Sequence, residues 1–145
     1  MFIGEFQHSI DEKGRVAVPA KFRVKVSGGA IITRGLDRCL FIFTTKDWDN
    51  FAQKLINSPS SEARANSRAF GRLMFSGASD AKLDSQGRIL IPDYLRKYAG
   101  LDKSAKIIGV YNRMEIWDER TWDKYCERTE GSSDEIAEKM AYLGI

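Results

Sequence analysis

The sequence predicts an α+β protein, mainly β with short helices, made of two tandem copies of one small module. Three observations carry this. The segment "IDEKGRVAVPAKFR" at residues 10–23 returns as "LDSQGRILIPDYLR" at residues 83–96. Each copy follows Asp-x-x-Gly-Arg with a run of apolar, often β-branched residues, and each closes on aromatic residues at helical spacing. The alignment pairs Asp11 with Asp84, Gly14 with Gly87, Arg15 with Arg88, Pro19 with Pro92 and Arg23 with Arg96 at a constant shift of 73. Farther along, "CLFIFTTKDWDNF" at 39–51 lies over "RMEIWDERTWDKY" at 113–125, setting Trp48 over Trp122 and Phe51 over Tyr125. Duplication of one unit is the simplest source of both matches.

Each copy opens with an extended run that turns at Asp-x-x-Gly-Arg. Asp bonds back to its own backbone at such a turn, Gly supplies the positive φ, and Arg starts the returning strand, so a hairpin is expected. "VAVP" and "ILIP" read as strands ended by Pro19 and Pro92. "PAKFR" and "PDYLR" then read as helical turns, since proline suits a first helical position. A second pair of strands is expected over 30–34 with 40–43, and again over 106–111 with 114–117. Trp48, Phe51, Ala52, Leu55 and Ile56 recur at the spacing of one buried helical stripe, with Thr44 and Asp47 placed as a capping box.

In the second copy Trp122, Tyr125 and Cys126 begin the same stripe, which fades at "TEGSS" (129–133). Ser132 and Glu135 are spaced to cap a last helix with Ile136, Met140 and Leu143 on one face. Between the copies "SPSSE" (58–62) reads as a loop and residues 62–75 as a connecting helix. Arg64, Arg68 and Arg72 form one ridge on it, which most simply is a solvated face. The expected organisation is a first unit at 1–57, linker and connecting helix at 58–76, a second unit at 77–130 and a C-terminal helix at 131–145.

Charge is unevenly spread. The chain carries a net +3 over 145 residues, but residues 118–145 hold eight acids and four bases, leaving +7 for residues 1–117. The length excludes a large multi-domain enzyme. No apolar run approaches the roughly 20 residues of a membrane span. The opening "MFIGEFQHS" lacks a secretory pattern, and Cys39 and Cys126 share no metal-ligand or redox spacing, so reduced thiols in a cytoplasmic protein are expected. Phosphate-loop, dinucleotide and HExxH motifs are all missing, and no cofactor, metal or small-molecule substrate is expected. A hydrolase would have to recruit Cys39 or Ser9 with His8, the single histidine, without any supporting motif.

The residues best suited to chemistry are Arg15 and Arg88. A guanidinium fork bonds a phosphate, or O6 and N7 of guanine, in bidentate fashion, and a hairpin tip presents it outward. Asp11 and Asp84 would hold those side chains in direction across the turn, and Gly14 and Gly87 would close it. Residues 11–26 carry +3 through Lys13, Arg15, Lys21, Arg23 and Lys25, whereas residues 84–99 carry only +1. Lys13, Arg15, Lys21, Arg23 and Arg88 are therefore the candidate DNA contacts, with the first unit the stronger. A bland reading stands beside this one: Asp, Gly and Arg simply build the turn.

These segments, "HSIDEKGRVAVPAKFR", "SGASDAKLDSQGRILIP" and "EIWDERTWDKY", resemble the MraZ regulators of the AbrB/MazE-like swapped-hairpin group, and the likeness spans essentially the whole chain. It implies duplicated β-barrel units that interleave their hairpins as a pseudo-dimer within one chain, and chains that assemble into ring-shaped homo-oligomers. It also implies binding of double-stranded DNA at direct repeats in the promoter of a cell-division and cell-wall gene cluster, including the regulator's own gene. A cytoplasmic, nucleoid-associated protein with no membrane partner is expected. Ser85 and Gln86 replace Glu12 and Lys13 in the second turn, which weakens its claim on DNA. An antitoxin-type interaction module of the same fold is the rival reading, although residues 134–145 read as a helix rather than a disordered tail.

Overall fold

The computed structural model describes residues 1–57 and 64–144. The expected 58–62 loop, and the first two positions of the expected connecting helix, lie outside the described residues. The chain forms β1 (Phe2–Ser9), β2 (Arg15–Ala17), α1 (Ala20–Val26), β3 (Ala30–Arg34), β4 (Leu40–Thr44) and α2 (Thr45–Ile56). After α3 (Arg64–Gly77) the order repeats as β5 (Ser79–Ala81), β6 (Arg88–Leu90), α4 (Asp93–Ala99), β7 (Ser104–Tyr111), β8 (Met114–Asp118) and α5 (Glu119–Gly131). A short α6 (Ser133–Lys139) and a 3-10 turn at Ala141–Leu143 follow. No helix among the described residues is long and apolar enough to cross a membrane.

The opening strand of each repeat joins the other repeat. β1 runs antiparallel to β7, from Phe2 opposite Tyr111 to Ser9 opposite Ser104, and β5 runs antiparallel to β3. Six strands thereby form one sheet in the order β1-β7-β8-β4-β3-β5. Among the described residues β2 pairs along its length with β6, Val16 facing Ile89, beside a single bridge from Val16 back to Ile10. These two residues are equivalent positions of the repeat, so the ribbon crosses on a pseudo-two-fold axis. Reciprocal bonds lock the crossing: Val18 N–H donates to the Gly87 carbonyl and Ile91 N–H to the Gly14 carbonyl, both at 2.9 Å.

The architecture is the expected mainly-β tandem, but neither unit closes into a barrel. Each strand of the β2–β6 ribbon is three residues long. Each soon runs into Pro19 or Pro92, which has no N–H to extend a ladder. The ribbon therefore stays a separate layer, and β1 and β5 end the larger sheet as edges.

Two apolar layers result. On one face Val16, Ile89, Phe22, Leu95, Ile32 and Ile107 belong to a single buried cluster drawn from both repeats. On the other, Phe41, Phe43 and Trp117 are buried against aromatic residues of α2 and α5 and against Met74 of α3. Thr44 caps α2, its Oγ1 accepting from Asp47 N–H at 3.1 Å. Ser132 makes no such side-chain bond at α6. α5 runs on to Gly131 through the expected break, and Asp118 caps its start instead.

β1 lies so close to β7 that a Cβ on Gly109 would meet the backbone of Phe2 and Ile3. Backbone cannot swing aside as a side chain can, so Gly109→Ala should lower the unfolding free energy by about 1–3 kcal/mol, the usual range for overpacking. Gly131→Ala, which meets nothing within 4 Å, should cost none. Chemical denaturation of the two variants beside the parent checks this.

Candidate nucleic-acid interface

The two Asp-x-x-Gly-Arg segments fold as the same turn. Asp11 Oδ1 accepts from the backbone N–H groups of Lys13 at 3.0 Å and Arg15 at 2.9 Å, and its Oδ2 accepts from Arg15 Nε at 2.7 Å. Asp84 repeats the pattern with Gln86 and Arg88 at 2.9 Å each and Arg88 Nε at 3.0 Å. Gly14 and Gly87 hold φ values of +83° and +75°, where a side chain is strained.

Crossing of the ribbon brings the turns together. Arg88 Nη1 stands 3.6 Å from Asp11 Oδ2 of the first repeat. Arg15 and Arg88 therefore share one surface, each about a third exposed. Their Nε edges are spent on carboxylates. Among the described residues, no group takes the two Nη nitrogens of Arg15, nor Nη2 of Arg88. The guanidinium groups are thus braced at one edge and open at the other, rather than waving from protruding tips.

The carboxylates do not oppose an anion here. Each accepts two backbone N–H bonds and one guanidinium bond, so its charge is already compensated. Bonds from the Arg15 backbone, with further help from its side chain, lower the Asp11 pKa, and the Arg88 backbone does the same for Asp84.

The other candidates divide. Lys13 is exposed within the first turn. Lys21 is exposed on α1, its ammonium 5.5 Å from the Phe6 ring centre and 5.4 Å from that of Phe22, against β1 rather than either turn. Arg23 donates Nε to the Val18 carbonyl at 2.9 Å and lies where a Cβ on Gly87 would be. Its position is that of a clamp on the opposite turn. Arg96, its repeat equivalent, covers Gly14 in the same way, its Cζ 2.6 Å from the Cβ position. Sequence reasoning paired Arg96 with Arg23 but gave it no task, because contact with the other repeat's turn leaves no local signature.

Burial, aided by Glu115, pushes the Cys39 thiol far above its usual range. His8 is lowered by burial and by Arg23, so it is neutral near pH 7. A thiolate nucleophile has no support in this arrangement.

Because both aspartates are lowered when folded, their stabilising contribution is full above the ordinary aspartate pKa of roughly 3.9. It is lost as pH falls through the lowered values. Asp84→Asn should therefore lower the denaturation midpoint at pH 6, and the parent and variant curves should converge toward pH 2. A difference that stays constant across that range would show that the carboxylate charge is irrelevant.

The family model described as the MraZ protein, and as antitoxin-like, matches residues 1–73 and again 74–143. A protein of Alkaliphilus oremlandii is 52% identical over 145 residues, covering all of both chains. One from Acetivibrio thermocellus is 49% identical over the same full length, and one from Desulforamulus reducens is 48% identical over 143 residues, 99% of each chain. All three are named transcriptional regulator MraZ. With the family pattern present in each half and full-length relatives near one-half identity, this chain belongs to the MraZ family.

Proposed function

We propose that this chain is a transcriptional regulator that binds double-stranded DNA through its paired turns, without catalysing a reaction. The observation that carries the reading is the carboxylate-braced pair Arg15 and Arg88 on one surface, with Nη groups open for a phosphate or a guanine edge. Bracing matters because an arginine fixed in direction loses less rotamer freedom on binding. Lys13 beside it adds an exposed cation suited to phosphate. The second turn has Gln86 in that place, so the first turn carries more of the affinity.

The target we propose is a set of direct repeats in the promoter of a cell-division and cell-wall gene cluster, including the regulator's own gene, as in the resemblance above. One pair of turns offers few phosphate contacts. A ring-shaped homo-oligomer engaging several repeats raises the effective concentration, and avidity then exceeds single-site affinity by roughly 10²–10⁴. Two-fold dimers match palindromes, whereas direct repeats call for copies in one orientation, which head-to-tail contacts supply. The proposed place of work is the cytoplasm, at the nucleoid. The proposed division of the chain is a first unit at 1–57 and a second at 77–130, joined by 58–76 and followed by 131–145.

Fluorescence anisotropy with a labelled fragment of the gene's own upstream region tests this. Arg15→Ala should weaken binding by about 1–3 kcal/mol per repeat, or roughly 5- to 150-fold, and relax preference at one base position. Lys13→Ala should weaken all sequences alike and reduce the magnitude of the salt slope by about 1. Affinity indifferent to ionic strength, or unchanged in Arg15→Ala, would overturn the reading.

A further inference from the structure

Among the described residues two surfaces leave apolar side chains exposed, and they carry opposite charge. The first is a groove of about 690 Å³ between the end of α2 and α3, where Leu55, Ile56 and Phe75 share the lining with Arg64, Arg68 and Arg72. Ile56 is 64% exposed and Phe75 39%. The arginines, four residues apart, span about 12 Å along the helix. No acid among the described residues lines this groove.

The second surface is α6 with its 3-10 turn. Every residue from Ser133 to Gly144 is exposed. Ile136 on α6, Met140 at its C-cap and Leu143 in the 3-10 turn stand at i, i+4 and i+7, the spacing of one apolar face, and Ile136 is 44% and Leu143 54% exposed. Asp134, Glu135 and Glu138 stand beside that stripe against a single base, Lys139.

We propose that the α6 segment of one copy seats in the α2–α3 groove of a second copy. The match is of both kinds at once: the Ile136–Met140–Leu143 stripe covers Ile56 and Phe75, while Asp134 and Glu138 meet the Arg68–Arg72 ridge. A nucleic-acid backbone would use the arginines yet leave the apolar lining wet. An acidic amphipathic helix uses both, in the helix-in-groove mode of recognition. Each copy offers one groove and one tail, so the contact is heterologous and repeats head to tail, keeping successive copies in one orientation. The inference rests on the homo-oligomer reading above and names the surfaces that would make it.

Sedimentation of the full chain, with circular dichroism as a check on folding, decides the matter. The parent should sediment as an oligomer. Arg68→Glu with Arg72→Glu, and separately Asp134→Arg with Glu138→Arg, should each weaken association at least 10-fold with the spectrum unchanged. All four changes in one chain should restore assembly, because the charges again oppose. Ile136→Asp, at an exposed position, should also dissociate the oligomer. If the parent is an oligomer and no variant lowers its mass, these surfaces are not the contact, although the oligomer reading stands. A parent that is monomeric at every concentration removes the oligomer reading and this inference with it. Loss of DNA affinity by the arginine variant at undiminished mass would assign the ridge to nucleic acid and overturn the proposal.

Discussion

The crossing of β2 over β6 is the constraint on which the rest of this structure depends. Two main-chain bonds reach from the ends of its strands to the opposite turns, Val18 to Gly87 and Ile91 to Gly14, and they fix each turn against the other repeat. Once the turns cross, β1 and β5 are carried to the far halves of the sheet, and the apolar residues of both repeats merge into one core. Neither repeat would bury its own ribbon alone, because three-residue strands with an apolar face need a partner layer. Duplication within one chain supplies that partner at fixed concentration.

The same crossing explains why arginine recurs at two levels of the turn. Arg15 and Arg88 lie at the surface, bound through Nε to carboxylates, while Arg23 and Arg96 pass beneath and fill the space left by glycine in the opposite repeat. A glycine is needed at each turn for the positive φ, and it also admits the guanidinium. The surface proposed to bind DNA is therefore continuous with the device that holds the halves together. Its geometry is set by main-chain bonds and buried packing rather than by loop flexibility, which is what a preorganised contact requires.

Much of this was legible in the sequence because it is local. The turn chemistry of Asp11 and Asp84, the strand over 30–34, the cap at Thr44 and the stripe through Trp48 all arise from neighbours within a few positions, where propensity and spacing act directly. Partner choice was not legible in the residues: the alternation in β1 fits any apolar layer, and nothing in residues 2–9 specifies residues 104–111. Swapping entered through family likeness, and the barrel expected with it gave way to open layers. Ser132 shows the other limit. Its spacing to Glu135 is that of a capping box, but α5 extends to Gly131 and leaves the cap without its usual geometry.

The repeats have diverged on the outer layer rather than at the crossing. In the first half α3 packs back on the sheet, Thr33 Oγ1 donating to the Met74 carbonyl and Arg34 Nη1 to the Leu73 carbonyl at 3.1 Å. In the second half α5 passes almost directly into α6, which has no length of chain in which to fold back. A hollow of about 320 Å³ lies there among Val110, Trp117, Trp122 and Tyr125. Charge follows the same division, basic along α3 and acidic through α5 and α6. Equal halves would have given a chain two-fold symmetric about its axis, presenting the same outer layer on both sides. Unequal outer layers give it a front and a back, the polarity that the proposed head-to-tail contact uses.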